Sequence, residues 1–295
     1  MKVLFDKKFL NHNIASSYEG DYRIEAFAED HEDLNIDGEQ FIGLVHPQEY
    51  IDYIKKSCNN NDIVAEVQLT PETYEAAKTA VGLSVLAAVD GDFAVVCPPG
   101  HHAFKEKTSG FCIFDNMAIA AQYLANKGKK VLIVDIDGHH GDGTQSIFYD
   151  SDQVMFCSIH QMHAFPFTGS PLELGAGKGI GYNFNFPLMA GSGDKEFLRV
   201  IDIIIKKAIE FKPDAIGISA GFDGYYKDKL LDLNYTLDAF YECGYRLRNH
   251  FANVFAILEG GYHEDIHECV YSLVKGVNKG TPTNRVFFDT DMSIG

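Results

Sequence analysis

Five stretches of the chain place side chains able to do chemistry directly after short apolar runs. They are Pro98-Pro99-Gly100-His101-His102-Ala103, the run Asp135-Ile136-Asp137-Gly138-His139-His140-Gly141-Asp142-Gly143, Ser158-Ile159-His160-Gln161, Ser219-Ala220-Gly221-Phe222-Asp223, and Glu259-Gly260-Gly261-Tyr262. The second is the densest. Asp135, Asp137 and His139 are spaced by two, and on an extended chain residues two apart share a face. Three such groups are costly to bury bare, and a cation removes that cost. The plain alternative for an Asp-x-Asp is a solvated loop; the glycines and the two histidines weigh against it. Two carboxylates and an imidazole suit Zn²⁺, with Fe²⁺ or Mn²⁺ as further options. Asp223, from another strand end, is the natural third ligand beside Asp137 and His139. Three protein ligands leave a position open, the arrangement of a catalytic metal. A second metal would need more carboxylates, and Gly224-Tyr225-Tyr226 offers none.

His101-His102 is either a structural pair or, beside a metal, the source of a general base, because imidazole titrates near neutral pH. Asp135 and Asp142 are then left to hold the far ring nitrogens. Tyr262 follows two glycines; it is a core aromatic or a donor to a developing oxyanion. The run Gly175-Ala176-Gly177-Lys178-Gly179-Ile180-Gly181 invites a dinucleotide reading, but a strand-like segment follows it instead of a helix, so it reads as a turn.

The elements that must position these groups alternate. Strands are expected at residues 3–5, 93–97, 130–137, 154–160, 215–220 and 255–258. Several are almost continuous in Val, Ile, Leu and Phe, as strands buried on both faces are. Helices are expected over 70–89, opened by Thr70-Pro71-Glu72, and over 116–127, 195–211, 237–251 and 264–275. The pattern implies one α/β domain, 1–295, with a mainly parallel sheet flanked by helices and its site beyond the carboxyl ends of the strands.

Composition bounds the partners. The 295 residues carry 42 acidic and 25 basic side chains, a formal charge of −17. This argues against direct nucleic-acid binding, which needs a basic face, and suits a basic substrate. No apolar run approaches the roughly 20 residues of a membrane span, and the start has too short an apolar core for a secretory signal. The six cysteines are scattered without a CxxC pair, which fits a reducing, cytoplasmic setting. A homo-oligomer is compatible with all of this.

Taken together, the motifs resemble the histone deacetylase / acetylpolyamine amidohydrolase family, with its arginase–deacetylase fold. The resemblance runs over residues 44–276 and includes Ser109-Gly110-Phe111-Cys112. It implies Zn²⁺ on Asp137, His139 and Asp223, with His102 as general base and acid. His101 would be its electrostatic partner, Asp135 would pair with His101 and Asp142 with His102. Tyr262 would polarise the amide carbonyl, while Phe111 and Phe165 would wall an acyl-lysine tunnel. A structural K⁺ site is implied at Asp135 and Ser158, with main-chain carbonyls of Asp137, His139 and Ile159. The expected activity is removal of acetyl or another short acyl group from acyl-lysine. The alternatives are acetylpolyamines or other small acetylated amines as substrates, and a catalytically inactive acyl-lysine reader. Three departures touch the tunnel mouth: the segment after Asp223, Phe165-Pro166-Phe167-Thr168-Gly169 with Phe where the family commonly has Gly, and Glu66-Val67-Gln68 where an acidic segment often binds substrate backbone. Leu230 stands where polyamine enzymes tend to carry a carboxylate, which favours acyl-lysine.

Overall fold

The computed structural model describes residues 1–12, 18–29, 31 and 33–282. Along the chain come β1 (Val3–Leu4), α1 (Glu39–Ile42), α2 (Gln48–Asn60), the strands β2 (Ile63–Val64) and β3 (Val67–Gln68), α3 (Pro71–Asp90) and β4 (Phe93–Ala94). Then follow α4 (Asn116–Ala125), β5 (Val131–Asp135), α5 (Asp142–Phe148), β6 (Val154–Gln161) and β7 (Asn183–Leu188). The chain continues with α6 (Asp194–Phe211), β8 (Ala215–Ala220), α7 (Leu237–His250), β9 (Val254–Leu258) and α8 (Ile266–Lys279).

Seven strands form one sheet in the order β1-β4-β9-β8-β5-β6-β7, and every neighbouring pair is parallel. β2 and β3 form a separate antiparallel hairpin. All residues of β5, β8 and β9 are buried, so helices cover the sheet on both faces, as their unbroken apolar sequences require. From β5 the chain moves outward to β6 and β7; from β8 it moves the other way, to β9. The sheet therefore reverses direction between the neighbours β5 and β8, and a crevice opens beyond their carboxyl ends, the usual ligand position in such sheets.

The expected strands and helices are present with small shifts. β4 ends at Ala94, not Cys97, because Pro98-Pro99 cannot donate to a ladder, although Val95 N–H still donates to Leu4 O (2.9 Å). β5 stops at Asp135 instead of 137, so the next residues turn away from the sheet. The glycine run ends in a short 3₁₀ turn followed by β7, which bears out the turn reading. α2, α5 and the hairpin have no counterpart among the expected elements. α5 is seven residues long, begins at an Asp-Gly pair and is anchored from outside, Thr144 N–H donating to His101 O (3.1 Å). Among the described residues no helix is long and apolar enough to cross a membrane. All six cysteines are buried free thiols.

Thr70 caps α3 through Thr73 N–H, the two hydroxyls reciprocating, and His12 is buried against this cap with Nδ1 3.1 Å from Thr73 Oγ1. Burial lowers the His12 imidazole to about 4. A depressed histidine leaves stability unaffected above its unfolded value near 6.5 and costs stability as pH falls from there to its folded value. His12→Gln should therefore weaken the acid destabilisation between pH 7 and 5 by about 2 kcal/mol, as 1.5 pH units at about 1.36 kcal/mol each. Urea unfolding of both proteins at the two pH values measures this.

Candidate metal centre and active site

The turn after β5 places Asp137 and His139 in the crevice, and the end of β8 brings Asp223 to face them. His139 Nδ1 lies 3.2 Å from Asp137 Oδ1 and 2.6 Å from Asp223 Oδ2. One ligand atom from each of the three residues falls within 4.8 Å of the others. Backbone donors fix the carboxylates: Gly260 N–H donates to Asp137 Oδ2 (2.8 Å) and Gly138 N–H to Asp223 Oδ1 (2.6 Å). Asp135 does not join the trio. Its carboxylate instead accepts from His101 Nδ1 (3.0 Å) and Asp137 N–H (3.1 Å).

Glycine makes the close approach possible. A Cβ at Gly221 would overlap the Asp137 carboxylate. One at Gly260 would lie 2.6 Å from Asp137 Oδ2, 2.8 Å from Asp223 Oδ2 and 3.3 Å from Tyr262 Oη, so the phenol and both carboxylates surround that Cα.

The buried charges need compensation. Asp137 and Asp223 are fully buried side by side. Burial and the Asp137 charge raise the Asp223 carboxyl to about 7. Burial alone would lower His139, but the Asp223 and Asp137 carboxylates overcome it and raise the imidazole to about 10. The trio thus holds protons that a divalent ion would displace, and two carboxylate oxygens with one imidazole nitrogen suit Zn²⁺ or Fe²⁺.

Beside the trio the two histidines differ. Their rings are 4.0 Å apart. Burial opposes charge on His101, but Asp137 and Asp135 outweigh it and raise that ring well above its ordinary value. His102 donates from Nδ1 to Asp142 Oδ1 (2.7 Å), yet burial and the neighbouring His101 charge lower it to about 4. One ring is held charged and the other neutral with Nε2 free to accept, the separation expected of acid and base partners.

A cleft of about 410 Å³ reaches this floor, lined by Glu66, His102, Phe111, His139, Gln161, Phe165, Leu230 and Tyr262 among others. Phe165 stands edge-on to His102 (5.1 Å) and Phe111 edge-on to Tyr262 (6.1 Å). Gly110, at φ +52°, packs its Cα against the His102 ring, where a Cβ would come within 2.5 Å of Cδ2. Ser158 pairs in register with Asp135 across β5 and β6, with its hydroxyl 2.9 Å from His160 Nδ1.

Three buried groups escaped the sequence reading. Glu259 Oε2 accepts from Gly100 N–H (2.7 Å) and His101 N–H (3.1 Å), holding the loop that carries both histidines, and burial raises its carboxyl to about 8. Asp115 caps α4 and accepts from Thr144, while its own N–H donates to His46 Nε2 (2.9 Å). His46, with Nδ1 3.0 Å from Lys105 O, is thus a buried link in this chain. Arg23 is buried behind Tyr262, donating to Gly261 O (2.5 Å) and Glu259 O (2.6 Å) and pairing with Glu19. A charged residue before Gly-Gly at the end of an apolar strand was the one available signal, for Glu259.

A profile of the histone deacetylase domain matches residues 17–277. The chain belongs to the histone deacetylase family. A probable deacetylase of Archaeoglobus fulgidus is 39% identical over 233 residues, 74% of this chain and 65% of that protein, so the match spans less than two thirds of its length. The crystal structure of the HDA15 HD domain superposes with a TM-score of 0.89 at 30% identity, covering 95% of this chain and 91% of that one. That of acetylpolyamine aminohydrolase from Burkholderia pseudomallei gives 0.84 at 25%, covering 95% and 99%. The parallel seven-stranded sheet flanked by helices is the histone deacetylase fold.

If Gly221 must lack a side chain for the Asp137 carboxylate to keep its place, Gly221→Ala should lower Zn²⁺ affinity about 10- to 100-fold, the usual cost of disturbing a ligand's support. Gly43→Ala, with nothing within 4 Å of the added carbon, should bind as wild type. Competition titration with a chromogenic chelator reads both.

Proposed function

We propose that this chain is a metal-dependent amidohydrolase that removes acetyl or another short acyl group from the side-chain amine of acyl-lysine. The observation that carries the reading is the convergence of the Asp137–His139–Asp223 trio, the His102–Asp142 pair and Tyr262 on the floor of one cleft. A Zn²⁺ or Fe²⁺ ion on the trio would supply Lewis acidity toward the amide carbonyl and the attacking water.

The chain's own groups do the rest. His102, neutral and oriented by Asp142, takes a proton from the attacking water at Nε2 and later gives it to the nitrogen that leaves. His101, charged between Asp135 and Asp137, favours the negative charge that builds during attack. Tyr262 donates from Oη to the carbonyl oxygen as it becomes an oxyanion. A C–O bond forms, the C–N bond breaks, and the products are a carboxylic acid and a free amine. Phe111 and Phe165, exposed to the cleft, fit an apolar four-carbon arm. A structural K⁺ beside Asp135 and Ser158 belongs to the same proposal, supported by their pairing on adjacent strands. The six free thiols support a reducing, cytoplasmic setting. The bonded His102–Asp142 pair and the presence of Tyr262 in the same cleft lining weigh against an inactive reader.

A second reading, deacetylation of acetylpolyamines, is favoured by Glu66, whose position in the cleft lining could meet a distal ammonium. Against it, Leu230 presents an apolar surface to the same cleft, and a paired charge there would be needed to offset ammonium desolvation. The −17 charge attracts every polycation alike and is screened by salt, so it does not choose between them.

Three outcomes follow. Asp223→Ala should lose metal and activity together in elemental analysis and peptide assay. Tyr262→Phe should keep metal and fold but hydrolyse acetyl-lysine peptide roughly 10²–10³ times more slowly, the cost of one oxyanion donor. With Zn²⁺-loaded protein at physiological salt, kcat/KM should favour acetyl-lysine peptide over N-acetylputrescine; a tenfold preference for the polyamine that vanishes in Glu66→Gln would establish the second reading instead.

A further inference from the structure

Tyr262 follows a pair of glycines, and Gly261 stands at φ +115°, a backbone region that side-chain-bearing residues avoid. Such a segment has no intrinsic preference for the conformation that points the phenol at Asp137 and Asp223. Something outside the segment must impose it: the Phe111 and Tyr18 rings stand edge-on to the phenol (6.1 and 6.4 Å), and polar contacts hold the backbone. Arg23 donates to Gly261 O and lies over the Tyr262 ring at 5.1 Å. Tyr22 Oη donates to Tyr262 O (3.3 Å). The backbone N–H of Tyr262 donates to Asp228 Oδ2 at 2.7 Å, the shortest of the bonds to Tyr262 itself.

Asp228 is 7% exposed and belongs to the segment after Asp223 that brings Leu230 to the cleft. Its other oxygen, Oδ1, accepts from Leu230 N–H (2.8 Å). Its own N–H donates to Tyr225 O (2.8 Å), which fixes the turn that carries it. The carboxylate thus has both oxygens engaged, one by the strand-end loop that carries the phenol and one by the loop that carries the cleft wall. It lies 34 residues from Tyr262 in sequence, so no local pattern brings them together.

We infer that Asp228 is a positioning residue, a two-armed clamp that sets the Tyr262 phenol over the reacting carbonyl and fixes the Leu230 wall against the substrate arm in one registration. The inference rests on the reading of Tyr262 as oxyanion donor. Only an acceptor at both positions satisfies the clamp. In Asp228→Asn the carbonyl oxygen can accept from one N–H, but the amide NH₂ faces the second N–H, and two donors cannot bond. The substitution is isosteric, and because the amide can take either orientation it weakens both arms without opening a cavity. The glycine-flanked loop, freed of its anchor, then samples conformations in which the phenol is withdrawn.

The experiment is a double-mutant cycle on acetyl-lysine peptide, with metal content and Tm measured on each protein. Asp228→Asn should lower kcat about 10- to 100-fold, raise KM a few-fold through the Leu230 arm, and retain the metal. In the Tyr262→Phe background the same substitution should lower kcat by no more than about twofold, since a misplaced phenol cannot be lost twice. A residue that merely supports the fold would lower kcat by the same factor in both backgrounds, and that additivity would overturn the clamp. Wild-type kcat in Asp228→Asn beside a slow Tyr262→Phe would overturn the clamp alone; wild-type kcat in Tyr262→Phe would overturn the oxyanion reading and the clamp with it. Should Asp228→Asn not fold, Asp228→Ser, whose hydroxyl oxygen can accept from one N–H, carries the same comparison. Failure of both to fold would overturn the inference by making Asp228 a requirement of folding.

Discussion

Two carboxylates buried beside each other at the end of a parallel sheet are the constraint on which the rest of this structure depends. In a dry crevice Asp137 and Asp223 repel, and the energy of that repulsion has to be met by protons, by a cation or by directed dipoles. Each carboxylate has a backbone N–H aimed at it, from Gly260 and from Gly138, and His139 bridges the pair. These donors lie in turns that only glycine lets approach so closely, which is why the strand ends are rich in glycine. The same field reaches outward: it holds His101 charged, and the charged His101, together with burial, keeps His102 neutral.

A site built this way is anchored from behind more than from the front. Glu259, Arg23, Asp115 and Asp228 do not touch the ligand trio, but each joins a backbone segment that carries a reactive group to another part of the fold. Glu259 is central, since its carboxylate holds the Gly100–His101 loop while its carbonyl is held by Arg23. Loops at strand ends have many conformations available, and fixing them costs entropy that buried, charge-assisted hydrogen bonds offset. The arrangement puts the groups of the candidate site on loops and ties those loops to the fold behind them.

In the proposed reading, substrate selection falls to the outer wall of the cleft. Phe165 and Leu230 are exposed at 39% and 37%, and Glu66 sits at the turn of a two-residue hairpin. Changes there alter what enters without disturbing the floor, which is consistent with departures from the family pattern gathering at the rim and not among the ligands.

The sequence by itself determined the parallel sheet, because strands buried on both faces must be continuously apolar, and it pointed to Asp137, His139 and Asp223 as one candidate set, because each follows such a strand. His101, His102 and Tyr262 were legible for the same reason. Tertiary structure alone decided the rest. α5 was invisible because its Asp-Gly start reads as a loop, and its stability comes from contacts with the His101 loop outside it. The bonds from Gly100 to Glu259 and from Tyr262 to Asp228 join residues 159 and 34 apart. Local propensity carries no information over such separations; the order in which the strands pack creates the neighbourhood, and a buried acceptor then takes whichever backbone donor the packing delivers.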